Sequence, residues 1–217
     1  MSDATLLVLN PNTSQAMTEA VVSAARARLP PGLKAIGWTA SAGPPVIKDR
    51  PSYDAAAAAM PALLAEAPRA DAILLACFGD PGLALLRARA GVPVTGLAEA
   101  AILAARQRGE RFAILTAGAA WVPILTDCVA AGGASHLLAG VFALDGDGAA
   151  LRADPERFHA QVRALSAQAR SAGASRLIPG GAAFEGLRFD WAEGLAVDWP
   201  VEGAVALLAH ALPRPLG

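Results

Sequence analysis

Cysteine and histidine are scarce in this chain of 217 residues, which contains two cysteines and three histidines. Cys77 and Cys128 are too few to form a disulfide framework, and the histidines are scattered without metal-ligand spacing. We therefore expect neither a disulfide-stabilised scaffold nor a metal site.

An excess of charge of one sign is also missing. Lys and Arg together number 18 and Asp and Glu 19, which gives a formal net charge of −1, and no basic cluster stands out. Nothing in such a sequence could neutralise a row of phosphates, so nucleic acid is not an expected partner.

Long apolar runs are absent, although hydrophobic residues make up 54% of the chain. No run is long enough to span a bilayer, so we expect no membrane association. The first apolar segment, TLLVLN, follows Asp3 and lacks the basic and apolar regions of a secretory signal. These features predict a globular protein with a cytoplasmic location.

Short apolar runs alternate with longer segments rich in alanine and leucine, which predicts an α/β fold of parallel strands joined by helices. The predicted strands lie near residues 5–9, 33–39, 71–76, 92–96, 111–116, 139–144, 175–179 and 195–198. Asp80-Pro81 and Asp154-Pro155 each place a capping carboxylate before a proline, a pattern typical of a helix start.

This order of strands and helices runs once to about residue 109 and then repeats. Asn10 corresponds to Thr116, Cys77 to Gly181 and Glu99 to Glu202, and the number of residues between equivalent positions changes by only a few across the three pairs. A regular α/β protein with loops of similar length would give the same spacing, but we favour a duplication.

The duplication predicts two pseudo-symmetric lobes, each a four-stranded, mainly parallel sheet flanked by helices, with a cleft between them. The first lobe is expected to comprise residues 1–98 and 202–217, and the second 99–201. Self-association of the chain is a further expectation, because its alanine-rich helices are apolar.

Four loops that follow predicted strands consist mostly of small and hydroxyl-bearing residues: NPNTS at 10–14, CFGDP at 77–81, TAG at 116–118 and GGAAFEG at 180–186. Ligands of α/β sheets bind at the carboxyl ends of the strands, where helix N-termini present N–H groups to anions. The loops therefore predict a site for a small carboxylate or imide. Neither GxxxxGK[ST] nor GxGxxG is present, so a nucleotide cofactor is not expected.

Cys77 lies in the segment ACFGDPGL, just after a predicted strand and three residues before the predicted helix cap Asp80. Proximity to a helix N-terminus favours the thiolate, which could remove a proton from carbon or return one. Cysteine is also a common small core residue, but the glycine-rich turn favours a functional role here. Cys128, inside the predicted helical segment WVPILTDCVAAGG, is interpreted as a packing residue.

Asn10 and Thr13 are candidate substrate ligands, although they could simply end a strand and cap the next helix. Thr116 occupies the corresponding place in the second half, with the same two interpretations.

The segments NPNTS-x-x-MT, GPP at 43–45 with Tyr53 downstream, ACFGDPGL, PVTGLAEAA and FAILT resemble the aspartate/glutamate racemase superfamily, in particular its hydantoin and allantoin racemase branch. The resemblance covers most of the chain, and ACFGDPGL is its most specific part. It implies an enzyme without cofactors, built from two pseudo-symmetric α/β lobes. It also implies two cysteines on opposite faces of the substrate carbon, one removing the α-proton and the other delivering a proton.

The second cysteine motif of that branch resembles GCAG followed by methionine, whereas this chain has Gly180-Gly181-Ala182-Ala183-Phe184. Gly181, which is also a candidate substrate-binding residue, stands where the second thiol is expected, and Cys128 lies in a different part of the sequence. The resemblance therefore implies a racemase-type enzyme in which Cys77 is the one cysteine acid or base.

We expect such an enzyme to form an enolate next to a carbonyl of a small amino-acid derivative such as a hydantoin. The N–H groups of Phe78, Gly79, Ala117 and Ala182 and the hydroxyl of Thr116 are the candidate donors to its charge. A decarboxylase of a malonate-type acid with a single cysteine and an inactive protein that binds a small anion are the alternatives.

Overall fold

The computed structural model describes residues 4–212. Its strands are β1 Ala4–Asn10, β2 Leu33–Thr39, β3 Ala72–Leu75, β4 Val94–Gly96, β5 Phe112–Ala117, β6 Leu138–Leu144, β7 Arg176–Gly180 and β8 Ala196–Val197. Its α-helices are α1 Gln15–Arg26, α2 Arg50–Glu66, α3 Leu83–Ala90, α4 Leu97–Arg108, α5 Trp121–Ala131, α6 Gly148–Ala153, α7 Pro155–Ser171 and α8 Pro200–Ala211. The eight predicted strands are confirmed.

The strands form two four-stranded sheets with the same topology. The first has the order β2-β1-β3-β4 and the second the order β6-β5-β7-β8. Every pair of neighbouring strands is parallel. The predicted α/β class with two four-stranded parallel sheets flanked by helices is confirmed.

Apolar runs form the central strands because parallel strands covered by helices on both faces are buried throughout. Residues 6–9 of β1 and all of β3 are buried, as are residues 112–116 of β5. Each sheet has its own core. In the first, Leu9 and Leu75 pack with Met60 of α2, and in the second, Leu115 and Leu177 pack with Phe158 of α7.

The described residues divide into two compact units. The first consists of residues 4–100 and 201–212, and the second of Ala101–Pro200. The chain therefore leaves the first unit within α4 and returns to it at the start of α8. The predicted lobe boundaries were 98/99 and 201/202.

One of the two predicted Asp-Pro caps is correct. Asp154 caps α7, where its Oδ1 accepts the Arg157 N–H at 3.1 Å. The prediction for Asp80 is wrong, because α3 begins at Leu83 and its N-cap is Gly82, without a side-chain cap. Asp80 has a φ of 56°, which turns its carboxylate toward a different helix.

No helix among residues 4–212 combines the length and the apolar character needed to cross a membrane.

Candidate functional site

A buried network of polar side chains surrounds the end of β1. The Asn10 side chain is fully buried, and its Nδ2 donates to Asn12 Oδ1 at 2.9 Å and to Thr18 Oγ1 at 3.0 Å. Its Oδ1 accepts the Asn12 N–H at 3.1 Å. Asn10 therefore holds the loop in shape, and its predicted contact with substrate stays a prediction.

The helix after this loop is capped by Ser14, whose Oγ accepts the Met17 N–H at 3.4 Å. Asn10 does end β1, as the alternative interpretation expected, but neither Asn10 nor Thr13 is the cap of this helix. Thr13 is half-buried, and its N–H donates to the Pro44 carbonyl at 3.1 Å. This bond leaves the Thr13 hydroxyl as the group that a substrate contact would use.

Cys77 lies at the carboxyl edge of the same sheet, beside the β1 loop. Leu9 pairs with Leu75, and the Ala76 N–H donates to the Leu9 carbonyl at 2.8 Å, so the chain following β3 runs next to Asn10. Cys77 is half-buried and is not in a disulfide bond. The structure thus brings the Asn10 loop and the Cys77 turn together within the first unit.

The Cys77 turn is tightly folded. The Asp80 N–H donates to the Cys77 carbonyl at 3.0 Å, and Gly79 between them has a φ of 129°, which favours glycine. Phe78 is 5% exposed and Gly79 is buried. The prediction that Cys77 lies three residues before a helix cap is wrong, because the N-cap of α3 is Gly82 and not Asp80.

Asp80 connects this turn to α4. Its Oδ1 accepts the Ala98 N–H at 3.1 Å and its Oδ2 accepts the Glu99 N–H at 2.6 Å. Desolvation raises the pKa of Asp80 to about 7, although its hydrogen bonds from the α4 backbone act in the opposite direction. A methyl group on Gly96 would overlap the Asp80 carboxyl, so glycine at this position leaves the carboxylate its space.

Tyr53 on α2 also holds the turn, by a hydrogen bond from its hydroxyl to the Gly79 carbonyl at 2.8 Å. The sequence identifies Tyr53 only as part of a family resemblance and predicts no contact for its side chain. No local pattern could have shown the contact, because 26 residues separate Tyr53 from Gly79.

In the second unit, Thr116 and Ala117 end β5. Thr116 is 2% exposed and Ala117 is half-buried. The next helix, α5, has Ala120 as its N-cap without a side-chain bond, so the interpretation of Thr116 as a cap is wrong. Cys128 lies on α5, half-buried and outside any disulfide bond.

Gly181 follows β7, next to the end of β5, because Thr116 pairs with Gly180. It has a φ of 130°, and apart from its own chain neighbours no residue has an atom within 4 Å of the place where a side chain would begin. Arg152 of α6 holds the loop through its Nη2, which donates to the Ala182 carbonyl at 3.1 Å and to the Glu185 carbonyl at 2.5 Å. Phe184 anchors the loop in the core, where it is fully buried.

The strand registers make Cys77 and Gly181 equivalent. Leu9 pairs with Leu75 in the first sheet, and Leu115 pairs with Pro179 in the second. Leu9 and Leu115 are equivalent, since each lies on the central strand of its sheet and packs in the hydrophobic core of its unit. Cys77 and Gly181 each lie two residues beyond the paired position. The correspondence that the sequence predicted agrees with this register, whereas the predicted cleft shared by the two lobes stays a prediction.

Across residues 4–212, no group of three or more His, Cys, Asp or Glu side chains is arranged to hold a metal ion. The polar groups at these loops are backbone N–H and carbonyl groups, hydroxyls, the Cys77 thiol, the Asn10 amide, the Asp80 carboxylate and the Arg152 guanidinium. This donor set suits proton transfer and hydrogen bonding to a small polar molecule.

Comparisons with known proteins agree with these features. A family model described as Asp/Glu/Hydantoin racemase matches residues 6–211. The chain is 34% identical over 211 residues to a hydantoin racemase from Paenarthrobacter aurescens, an alignment that covers 92% of this chain and 87% of that protein.

Two solved structures are similar over nearly the whole chain. An allantoin racemase from Pseudomonas fluorescens superposes with a TM-score of 0.85 and 26% identity, covering 98% of each chain. An allantoin racemase from Klebsiella pneumoniae gives a TM-score of 0.84 and 29% identity, covering 95% of this chain and 86% of that one.

Proposed function

Since the chain belongs to the Asp/Glu/Hydantoin racemase family, we propose that it forms a carbanion next to a carbonyl of a small cyclic amino-acid derivative, with Cys77 as acid and base. The main support for this proposal is that the Cys77 thiol is half-buried at the carboxyl end of β3, beside the Asn10 loop. The relatives named hydantoin racemase and allantoin racemase favour a 5-substituted hydantoin as substrate, since allantoin is itself a ureido-substituted hydantoin.

In the proposed reaction the Cys77 thiolate takes the proton from the carbon next to the carbonyl. The sulfur becomes a thiol, and the electron pair of the broken C–H bond moves into the carbonyl to give an enolate. When the thiol returns a proton to the carbon, the thiolate is restored and the cycle is complete, so no oxidant, reductant or cofactor is consumed.

The enolate charge requires donors that are in place before the reaction. We assign this role to the N–H groups of Phe78, Gly79, Ala117 and Ala182 and to the Thr116 hydroxyl. Asn10 stabilises the loop that follows β1 through its side-chain hydrogen bonds, and Thr13 provides a hydroxyl from that loop.

Gly181 determines what one thiol can achieve. A glycine has no proton to give, so inversion needs a proton from another donor, such as water, on the face opposite Cys77. The hydroxide that water leaves then takes the proton of the Cys77 thiol, which restores the thiolate. Return of the proton to the face from which it came gives exchange with retention. A single-cysteine decarboxylase of a malonate-type acid is the second candidate, because that reaction needs only one proton carrier.

Incubation of single enantiomers of 5-substituted hydantoins in D₂O, followed by NMR and polarimetry, tests the proposal. Deuterium at the α-carbon with inversion is the expected result, and deuteration with retention would mean exchange on one face. A deuterated product with loss of CO₂ from a malonate would favour the decarboxylase. Binding without exchange or turnover would mean that the protein is a small-anion binder.

A further inference from the structure

Asp80 adopts a left-handed backbone conformation, which residues other than glycine rarely take. It is the one non-glycine residue among residues 4–212 with a positive φ, at 56°, and it lies between Gly79 and Gly82, whose φ values are also positive. Glycine would take this conformation with less strain. An aspartate here therefore indicates that its carboxylate has a role which offsets the strain.

That carboxylate is occupied by the first turn of α4. Both oxygens accept backbone N–H groups, from Ala98 at 3.1 Å and from Glu99 at 2.6 Å. Anions are stabilised at helix N-termini, where such N–H groups lack partners within the helix. The same residue also closes the turn, because its N–H donates to the Cys77 carbonyl at 3.0 Å.

Other charged groups surround the contact. Glu99 on α4 lies against Asp80, and its Oε2 accepts from Thr95 Oγ1 at 3.0 Å and from Arg87 Nη2 of α3 at 2.5 Å. The Glu99 carboxylate is thereby directed toward Arg87 and Thr95, while Asp80 receives the helix N–H groups.

We propose that Asp80 is the positioning residue for Cys77: its carboxylate fastens the turn carrying the thiol to the start of α4. This inference rests on the proposed role of Cys77. The two contacts fall on adjacent residues just after Cys77: the Tyr53 hydroxyl binds the Gly79 carbonyl, and the Asp80 carboxylate binds the start of α4. Together they hold the sulfur where proton transfer to carbon requires it.

The test compares Asp80→Gly, Asp80→Asn and a matched control, Asp154→Gly. Asp80→Gly tolerates the positive φ but loses both acceptor oxygens, whereas Asp80→Asn keeps one. Asp154→Gly also removes a helix-capping carboxylate, from α7 in the second unit. Melting temperatures of all three identify any loss that is only structural.

The first readout is steady-state turnover on the hydantoin accepted in the D₂O experiment. Misplacement of the thiol should lower kcat of Asp80→Gly by about 10- to 100-fold with KM little changed. Asp80→Asn should fall between Asp80→Gly and the wild type, and Asp154→Gly should keep the wild-type kcat even if its melting temperature falls.

The second readout needs no substrate: alkylation of Cys77 by iodoacetamide from about pH 6 to about pH 10 in a Cys128→Ser background. Release of the turn should raise the limiting rate constant at high pH by about fivefold or more in Asp80→Gly and leave it unchanged in Asp154→Gly. A shift of the thiol pKa alone, through loss of the nearby carboxylate, would leave this limiting rate unchanged.

The two readouts separate this inference from the proposed function. If Asp80→Gly is alkylated faster but neither the wild type nor any variant turns over any substrate, the positioning role is supported and the enzymatic role is overturned. Unchanged alkylation would overturn the positioning role whether or not kcat falls. The same holds if Asp80→Gly keeps the wild-type kcat in an active enzyme.

Discussion

The turn after β3 and the loop after β7 occupy equivalent places in two sheets of the same topology, yet they are held by different contacts. The first contains Cys77 and is held by the Tyr53 hydroxyl and the Asp80 carboxylate. The second has Gly181 at the equivalent position and is held by Arg152 through backbone carbonyls. The same sheet topology thus carries a thiol in one unit and a glycine at the equivalent position in the other.

The backbone differs as well. In the first unit the φ near 130° falls on Gly79, two residues after Cys77, whereas in the second it falls on Gly181 itself. A side chain is therefore accommodated without strain at position 77 and is strained at 181. A thiol at position 181 therefore has the space it needs but requires a strained backbone.

The largest expected effect is that of removing the thiol from the first unit. Cys77→Ala should lower turnover by about 10²- to 10⁴-fold, because a positioned acid or base contributes that much to proton transfer. Cys128→Ala, which removes the other thiol from α5, should leave turnover unchanged. Stopped assays with racemic product quantified by chiral chromatography measure both. Near wild-type activity of Cys77→Ala would rule out the proposed acid and base.

Adding a thiol to the second unit should have a smaller effect, in the opposite direction. Gly181→Cys should raise the rate of racemisation, since its side chain enters open space and supplies a second proton carrier. A cysteine at this positive φ is strained by about 1–3 kcal/mol, which lowers the free energy of unfolding. The variant should therefore also unfold at a lower denaturant concentration. Chiral assays alongside urea denaturation check both parts. If no accepted substrate racemises faster, racemisation is not limited by the lack of a thiol on the face opposite Cys77.

A double-mutant cycle tests the contact that distinguishes the first unit. Gly96→Ala should destabilise the wild type by about 1–3 kcal/mol, because its methyl group would overlap the Asp80 carboxyl. In an Asp80→Gly background the same methyl group has room and should cost much less. Urea denaturation of the four proteins gives the coupling energy, and equal costs in both backgrounds would contradict the contact.

The smallest expected effect is a difference in pH dependence. Burial raises the pKa of Asp80 from 3.8 to about 7, and the neighbouring Glu99, paired with Arg87, adds to this rise. Between these values the folded protein holds a proton that the unfolded chain has released, so stability falls as pH rises through this range.

Asp80→Asn cannot titrate and should lose less stability than the wild type between about pH 5 and about pH 8. Urea midpoints at the two pH values measure the change for each protein. Parallel changes in both would show that Asp80 has an ordinary pKa.

The strands and their repeated order could be predicted because burial on both faces requires short apolar runs such as AILL and FAIL, which the sequence shows directly. The correspondence of Cys77 with Gly181 followed from counting residues between such runs. These features depend on local composition and on the spacing of elements.

The contacts of the Cys77 turn could not be predicted in the same way. Asp80 precedes a proline, which is typical of a local helix cap, but its carboxylate binds N–H groups 18 and 19 residues further along the chain. Its left-handed backbone makes this possible, and no residue pattern shows a positive φ at an aspartate. The capping side chain at Ser14, one residue beyond Thr13, was missed for a simpler reason, since both residue types are good caps.

The path of the chain through the two units has a consequence for biosynthesis. The second unit is contiguous, whereas the first needs α8, whose Val201, Val205 and Leu208 are buried and whose Glu202 accepts from Arg28 Nε at 2.8 Å. Because α8 follows the whole second unit in the chain, the core of the first unit can be completed only after the second unit has been translated.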